Sequence, residues 1–478
     1  MLLFNRNDNL DPSDQDLVGS VPKRRQGLSA RATYVFNSKY IAEFNMGYNG
    51  SENYAVGKKM GFFPAYAIGW VASAEPFFKP LLKHISLLKI RVTTGTVGND
   101  AINNRFAYLT RVVDTGGSYT FGIGAAYGSG KGIDISYYGN PNASWEKAQK
   151  SDLGVEIACL RGIRINADLF YERRTQIWDQ LSRIPQIYGY TSGRNSIAPY
   201  GNIGEAENRG FDGSLEYFKK INKKLTIQFK GTFLWSENKI LQNGAVTPKY
   251  AYQSRIGQPI NNNYGLIALG YFKSQEDVND SPIQGWGQTA PGDIKYKDLN
   301  GDGRVDSFDE TFIGNPPGLP KISCGAGGSI TYLNIDFSFL FSCSAQTSFM
   351  PRPKGFTEVD QGNLYQIMAD SHWTAENNGA DATFPRLAVG PQYNNYQPST
   401  FWLKDGSFVR LKQVEIGYSL NSRFLKQSRI FQGFRIYVTG LNLLTFSKFK
   451  WWDPESQSNN GVYYPVQKFV NFGFNAHF

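Results

Sequence analysis

The sequence has 478 residues, a net charge of +10 and 15% aromatic residues, with 50 glycines. This length allows several globular domains or one large β-barrel, and the abundance of aromatics and glycine favours strands joined by loops over helices. No run of about 18 apolar residues occurs, which excludes a transmembrane helix. Residues 1–16 are polar and acidic and do not resemble a signal peptide.

Alternation of apolar and polar residues with a period of two is the dominant pattern. It runs through residues 28–36, 40–48, 164–172, 225–235 and 335–342. These runs are about ten residues long, the length that a tilted strand needs to cross a bilayer, whereas strands of soluble sandwiches have about five or six. The mean hydropathy of −0.39 agrees with this interpretation, because a barrel strand carries a polar lumen residue for each lipid-facing apolar one.

The connections between the runs are alternately short and long. We predict tight turns at Asn37–Ser38, Arg161–Gly162, Ile221–Asn222 and Leu333–Asn334, and long polar segments at 98–149, 175–207, 237–319, 347–400 and 443–466. Periplasmic turns alternating with extracellular loops are typical of outer-membrane barrels. The predicted fold class is therefore all-β, a transmembrane antiparallel β-barrel.

The direction of the strands suggests a partial barrel. If Asn37–Ser38 is a periplasmic turn, the count is about 13 strands, and the last, 467–478, ends in the periplasm with an alternating run and a terminal Phe478. Complete single-chain bacterial barrels have an even number of strands. We therefore expect a piece of a longer protein or a split-gene product, with the missing strands N-terminal. The terminal phenylalanine resembles the signal that barrel assembly machinery recognises.

Cysteine and charge add little to the functional prediction. Cys159, Cys324 and Cys343 are odd in number and widely spaced, which predicts neither a disulfide framework nor a zinc site; Cys159 and Cys343 are interpreted as small apolar strand residues. The positive charge is scattered apart from residues 23–25 and 219–224, so no nucleic-acid partner is predicted.

Eight segments resemble, in order, the SusC/RagA family of TonB-dependent outer-membrane transporters. They include KIRVTTGTVGND at 89–100 and LNLLTFSKFKWWDPE at 441–455, and the others lie at 24–54, 61–73, 144–157, 292–306, 313–321 and 401–420. The resemblance covers nearly the whole chain and maps it onto the C-terminal part of such a protein.

The resemblance implies about 13–14 strands of a 22-stranded barrel in the outer membrane of a Gram-negative bacterium, in contact with its lipid. The family's barrels are plugged by an N-terminal domain, a segment that this sequence lacks. Family members import oligosaccharides, or sometimes peptides, with a SusD-like lipoprotein as partner and with energy from TonB, which contacts that N-terminal region. The substrate-binding residues and the ligand are not identified by the motifs.

One segment matches a calcium loop. Loop positions 1, 3, 5, 7, 9 and 12 would be supplied by Asp298, Asn300, Asp302, the Arg304 carbonyl, Asp306 and Asp309, with Gly303 at position 6. Position 12 is aspartate rather than glutamate, and Glu310 could compete for it. The predicted ligand is Ca²⁺, which would stiffen the 237–319 loop; the alternative is a glycine-rich turn without metal.

Two other functions were weighed against transport. A non-transporting receptor or structural barrel would differ only in its upstream region. A carbohydrate-active enzyme would need a clustered pair of carboxylic acids, and no such spacing is found, so we predict no catalytic residues, no enzyme and no required cofactor. Tryptophans of the outer loops could stack on sugar rings, although packing is the favoured alternative for each: Trp178, Trp286, Trp373, Trp451 and Trp452.

Overall fold

The computed structural model describes residues 1–10, 20–102, 105–120, 129–188, 191–192, 195–351, 364–378, 382–390, 392–420, 433–457, 461 and 463–477. Strands dominate, and the α-helices among these residues are the short α1 (Gln275–Asn279) and α2 (Gln366–Ser371). No helix in the described ranges is long and apolar enough to cross a membrane.

The strands fall into one large sheet and several small ones. In chain order they are β1 (Leu2–Asn9), β2 (Lys23–Phe36), β3 (Tyr40–Ser51), β4 (Met60–Val71), β5 (Ile85–Asn99), β6 (Arg111–Thr120), β7 (Ser129–Tyr137), β8 (Glu146–Cys159), β9 (Ile163–Gln180), β10 (Thr191–Ser192), β11 (Asn195–Ser196), β12 (Tyr200–Lys220), β13 (Leu225–Gln242), β14 (Asn263–Gly265), β15 (Ala268–Tyr271), β16 (Ile283–Gln284), β17 (Ile294–Tyr296), β18 (Arg304–Val305), β19 (Thr311–Gly314), β20 (Ile322–Tyr332), β21 (Ile335–Ala345), β22 (Ser348–Phe349), β23 (Lys404–Asp405), β24 (Phe408–Leu420), β25 (Gly433–Ser447) and β26 (Phe469–His477).

The large sheet has 14 strands, paired in the order β1-β2-β3-β4-β5-β8-β9-β12-β13-β20-β21-β24-β25-β26. The strands of this sheet pair in chain order, as in an up-and-down meander, although β6 and β7 lie between β5 and β8 and pair with each other instead. The remaining strands likewise form two-stranded sheets within the long connections. The all-β prediction is confirmed.

Alternation sets the two faces of the large sheet. In β2 and β3, the apolar pairs Leu28 with Tyr48 and Ala32 with Phe44 lie opposite each other. Arg31 lies on the other face, where its guanidinium forms an ion pair of 2.5 Å with Glu43. Because successive side chains of a strand point to opposite faces, the sequence pattern gives one apolar and one charged face.

Two of the predicted tight turns show how backbone geometry fixes the hairpins. Asn37 and Ser38 have φ values of 50° and 56°, the left-handed conformation that a two-residue type I′ turn needs, so this turn is confirmed. The next turn is centred on Leu160 and Arg161, with φ values of 50° and 49°. The predicted turn at Arg161–Gly162 is thus shifted by one residue, since Leu160 and Arg161, rather than Gly162, have the left-handed conformation.

The large sheet has 14 strands, one more than the 13 counted from the alternation and within the 13–14 that the family resemblance implies. Residues 2–9 were not interpreted as a strand, yet β1 pairs with β2 from Leu2 opposite Ala30 to Asn9 opposite Lys23. The argument from an odd strand number is therefore wrong. The apolar alternation of β1 stops after Phe4, so the pairing is set by the neighbouring strand rather than by a local pattern.

Cys324 and Cys343 form a disulfide between β20 and β21, with Cα atoms 5.0 Å apart, and Cys159 is free. The interpretation of Cys343 as only a small apolar residue was wrong. The register of the hairpin places the two cysteines directly opposite each other. Cys324 precedes Leu333 by as many residues as Cys343 follows Asn334. The predicted turn at Leu333–Asn334 therefore already implied that the two cysteines lie opposite each other.

The chain divides into two compact units. The first comprises Met1–Arg161, Ile165–Phe211 and Asn238–Thr247, and the second comprises Gly162–Arg164, Asp212–Glu237 and Pro248–Phe478. Each has a buried apolar cluster formed by its long connections. In the first unit this cluster is Tyr54, Phe63, Ala107, Ala143 and Trp145; in the second it is Leu266, Ile294, Tyr296, Val305, Met368, Phe384 and Trp402.

Glu75 organises the connection between β4 and β5 in the first unit. Its carboxylate accepts hydrogen bonds from Tyr40 Oη at 2.6 Å, Lys39 Nζ at 2.9 Å and Trp70 Nε1 at 3.3 Å. These bonds, that from Tyr40 first, lower the pKa of Glu75 from 4.5 to about 2. The ionised form therefore stabilises the folded protein above pH 4.5, and this contribution is lost as the pH falls from about 4.5 to about 2.

We expect the melting temperature of the purified protein in detergent to fall less steeply between pH 4.5 and 2 for Glu75→Gln than for the wild type. The exposed Glu376→Gln variant is the matched control and should keep the wild-type slope. An identical pH slope for Glu75→Gln and the wild type would contradict this role of the carboxylate.

Candidate functional site

A polar cavity of about 380 Å³ lies in the first unit, at the ends of the strands remote from the Asn37–Ser38 turn. We call it the loop-side cavity. It is lined by the end of β1, the start of β2, residues 51–53 at and just after the end of β3, and residues 100–102 and 105 after β5. Its volume is within the range of sites for small ligands.

Ion pairs fix two sides of the loop-side cavity. Arg105, whose side chain is 11% exposed, pairs with Glu52 at 2.5 Å and also donates to the carbonyls of Val21 and Pro22. Arg25 lies 3.3 Å from Asp100 but leaves 65% of its side chain exposed. Arg105 is thus a positioning residue that joins the segments around the cavity, whereas Arg25 is open to a ligand.

An aromatic cluster adjoins the cavity through Ile102, which lines the cavity and packs against the cluster. Tyr54 is fully buried, and its ring centroid lies 5.6 Å from that of Trp145, which also packs edge-on against Phe63 at 5.3 Å. Burial raises the pKa of Tyr54 well above its ordinary value. Trp178, at the end of β9, packs against the same cluster. It therefore serves packing rather than presenting a free ring to sugar.

The long connections of the second unit form a compact loop body, which we define as residues 248–321, 346–407 and 448–457 where described. The buried cluster of this unit lies within it, and Trp286 and Trp451 pack against that cluster. Trp452 packs edge-on against Phe449, with ring centroids 5.0 Å apart. Trp286 and Trp451 thus contribute to a hydrophobic core.

A buried carboxylate joins distant segments of the loop body. Asp293 is fully buried and accepts hydrogen bonds from the backbone N–H of Ala290 at 2.8 Å and from Asn395 Nδ2 at 2.9 Å. Arg386 Nε lies 2.8 Å from the same carboxylate. Since a buried charge is tolerated only when it is paired and hydrogen-bonded, this network fixes residues 290–294 against 386–395.

The residues of the predicted calcium loop lie together in the loop body. Asp298 accepts from the backbone N–H groups of Gly301 at 2.6 Å and Gly303 at 2.9 Å. Asp309 is fully buried and accepts from Leu299 at 2.7 Å and Asp306 at 2.9 Å. Among the described residues, no three His, Cys, Asp or Glu side chains gather as a metal-binding group.

The second half of this loop is anchored in the loop body. Arg304 and Val305 form β18, which pairs in parallel with β16, and Val305 is fully buried. Burial raises the pKa of Glu310, which makes this carboxylate a poorer ligand than its exposed neighbours. Asp302 is exposed. Calcium binding stays a prediction from the spacing of the residues.

We expect calcium to raise the melting temperature of the wild-type protein relative to EDTA, with Asp298→Asn and Asp302→Asn abolishing the shift. Calcium at 100 times its Kd would add about 2.7 kcal/mol of stability. The exposed Asp280→Asn variant lies outside the loop and should keep the full shift. Equal melting of the wild type in calcium and in EDTA would show that the loop is a turn without metal.

No family model matches the chain. "TonB-dependent receptor P26" of Formosa agariphila is 27% identical over 99% of this chain and 48% of its own length. "TonB-dependent receptor SusC" of Bacteroides thetaiotaomicron is 26% identical over 90% of this chain and 41% of its own length. A solved structure of "the RagAB peptide importer in the 'open-open' state" has a TM-score of 0.75 at 21% identity, covering 96% of this chain and 47% of that chain.

The 14-stranded antiparallel sheet and these similarities indicate part of a transmembrane antiparallel β-barrel that is similar to TonB-dependent receptors and is located in the outer membrane of a Gram-negative bacterium. Within that class, the resemblance to the SusC/RagA type is confirmed. The chain spans about half the length of the curated relatives that it matches. The relatives are named as receptors rather than enzymes, which agrees with the prediction that the chain is not an enzyme.

Proposed function

We propose that the chain supplies the barrel wall and the extracellular loops of an outer-membrane importer of oligosaccharides, or of peptides, driven by TonB. The observation that carries this proposal is the similarity to TonB-dependent receptors along 90% or more of the chain. Because the similarity includes both the strands and the loops, it supports a shared transport mechanism as well as a shared barrel wall. The structural similarity to RagAB supports the fold that this mechanism requires.

The proposed partner at the extracellular face is a SusD-like lipoprotein. Its support here is the loop body, whose buried cluster and Asp293 network give the outer loops a defined shape. A preformed surface binds a partner at a lower entropic cost than mobile loops would. Energy would enter through TonB and a region outside this sequence.

The proposal is tested by uptake in the native host. Deletion of the gene should abolish accumulation of labelled ligand, complementation should restore it, and removal of TonB should have the same effect as the deletion. The genes beside it, if they encode a SusD-like lipoprotein and glycan-degrading enzymes, supply the ligands to test. A deletion strain that still accumulates the cognate ligand at the wild-type rate would favour a receptor that does not transport.

A further inference from the structure

We infer that the loop-side cavity binds an acidic oligosaccharide through the carboxylate or sulfate group of its sugar. This inference rests on the proposed import function and deepens it by naming the class of substrate. It concerns residues of the first unit only and is independent of the predicted calcium loop.

The charge of the lining favours an anion. Four cationic side chains face two carboxylates in this cavity, those of Glu52 and Asp100. Both carboxylates are engaged, by Arg105 and Arg25 respectively. Within the described residues, Lys23 forms no ion pair and is exposed. The cavity therefore keeps a net positive charge that can bind a ligand anion.

The geometry of the cations suits an oxyanion. Arg25 uses one nitrogen, Nη2, for its 3.3 Å ion pair with Asp100, and 65% of its side chain stays exposed. Arg24 is 60% exposed and lies 3.6 Å from Asp8, too far for a hydrogen bond. Guanidinium groups bind carboxylate and sulfate-like oxyanions through parallel N–H donors, and such charge-assisted bonds are about twice as strong as neutral ones.

The neutral lining favours a sugar over a peptide. Asn7, Asn9 and Asn53 contribute carboxamides, which both donate and accept hydrogen bonds, as sugar hydroxyls do. Among the lining residues that the structure describes, only Ala101 and Ile102 are apolar. The apolar side chains of a peptide would find few apolar contacts in this cavity. The hydroxyl groups of a sugar ring, in contrast, would find hydrogen-bond partners on most sides.

A second cavity makes room for more than one sugar. It measures about 370 Å³ and shares Arg24, Arg25, Ser51 and Glu52 with the loop-side cavity. From there it extends to Lys59 beside β4. The shared arginines therefore lie between two adjoining polar cavities, where the acidic groups of neighbouring sugars in one chain could contact them.

The test uses calorimetry on the purified full-length transporter in detergent at low salt, since salt screens exposed charges. The ligands are trigalacturonate, its fully methyl-esterified form, a sulfated galactose trisaccharide and hexaglutamate. We expect trigalacturonate or the sulfated trisaccharide to bind at least about tenfold tighter than the neutral ester. The Lys23→Gln/Arg25→Gln variant should lose that advantage.

Two controls keep the result specific. The charge-retaining variant Lys23→Arg, in which Arg25 keeps its guanidinium, should keep affinity within about threefold, which shows that the cavity still folds. Lys448→Gln, with a side chain that is 88% exposed in the second unit, removes a comparable surface charge and should change nothing.

Three results would overturn the inference: no acidic trisaccharide binding more tightly than the ester, an unchanged affinity in Lys23→Gln/Arg25→Gln, or hexaglutamate binding as tightly as the acidic sugars. The uptake assay separates this inference from the proposed function. Normal TonB-dependent uptake together with any of these results would refute the acidic-sugar site alone. Loss of acidic-sugar binding in the glutamine variant, with no uptake by the wild type, would refute transport alone.

Discussion

Replacing Arg410 with methionine should destabilise the protein by about 3–5 kcal/mol, the cost of breaking a buried ion pair by removing one partner. The Arg410 side chain is 1% exposed, and Nη2 lies 2.6 and 2.7 Å from the two carboxylate oxygens of Asp453. Nη1 lies 2.9 Å from Glu455, and the guanidinium covers the Phe408 ring at 5.3 Å. Methionine would leave the Asp453 charge without its partner.

Chemical denaturation in detergent micelles, with limited proteolysis of residues 448–457, measures this effect. Lys412→Gln is the matched control, because Lys412 is 43% exposed and 3.4 Å from Glu455, and exposed pairs contribute at most about 1 kcal/mol. Adding Asp453→Asn to Arg410→Met should recover part of the loss. If Arg410→Met were as stable as Lys412→Gln, the pair would not anchor the loop.

Replacing Trp402 with alanine should cost about 3–5 kcal/mol within the loop body. Trp402 is 1% exposed, its Nε1 donates to the Asn395 carbonyl at 2.7 Å, and its ring packs edge-on against Phe401 at 4.9 Å. The substitution removes the largest buried side chain of the cluster and leaves a cavity. We expect proteases to cleave the loop body rapidly while the large sheet keeps its far-UV circular dichroism.

Trp402→Phe should fall between the wild type and the alanine variant, because it keeps most of the apolar contact and loses the hydrogen bond to Asn395. Phe308→Ala is the surface control, since Phe308 is 44% exposed. Cleavage of Trp402→Ala at the wild-type rate would mean that the buried cluster does not hold the loops together.

The long strands were predictable because their information is local. In β13, Leu225, Ile227 and Phe229 alternate with polar residues, and the observed strand follows that run. β1 was missed because its outer half, from Asn5 onward, has no apolar alternation. A strand of that kind is specified by the partner that pairs with it.

The loop body could not be predicted, because its core is assembled from residues far apart in the sequence. Leu266 lies in the connection between β13 and β20, whereas Phe384 and Trp402 lie in that between β21 and β24, and the three share no period with one another. The predicted long polar segments overlap the connections between the long strands, although 175–207 and 237–319 also include ends of β9, β12 and β13. Their polarity hid the few apolar residues that meet when the connections fold together.

The candidate cavity was visible in the sequence only as a charge cluster at residues 23–25. Arg25 pairs with Asp100, and Arg105 pairs with Glu52, only because the start of β2 and the ends of β3 and β5 lie at the same side of the sheet. Strand ends are the least certain part of any sequence prediction, so the meeting of these side chains was not foreseeable.

Cysteine labelling in intact cells tests the central claim, that this sheet crosses the outer membrane with its long loops outside. In a Cys159→Ser background, Lys249→Cys in the loop body and Lys224→Cys at the turn between β12 and β13 would each carry one new thiol. We predict that a membrane-impermeant maleimide labels Lys249→Cys in intact cells and Lys224→Cys only after the outer membrane is permeabilised. Equal labelling of both sites in intact cells would contradict the claim.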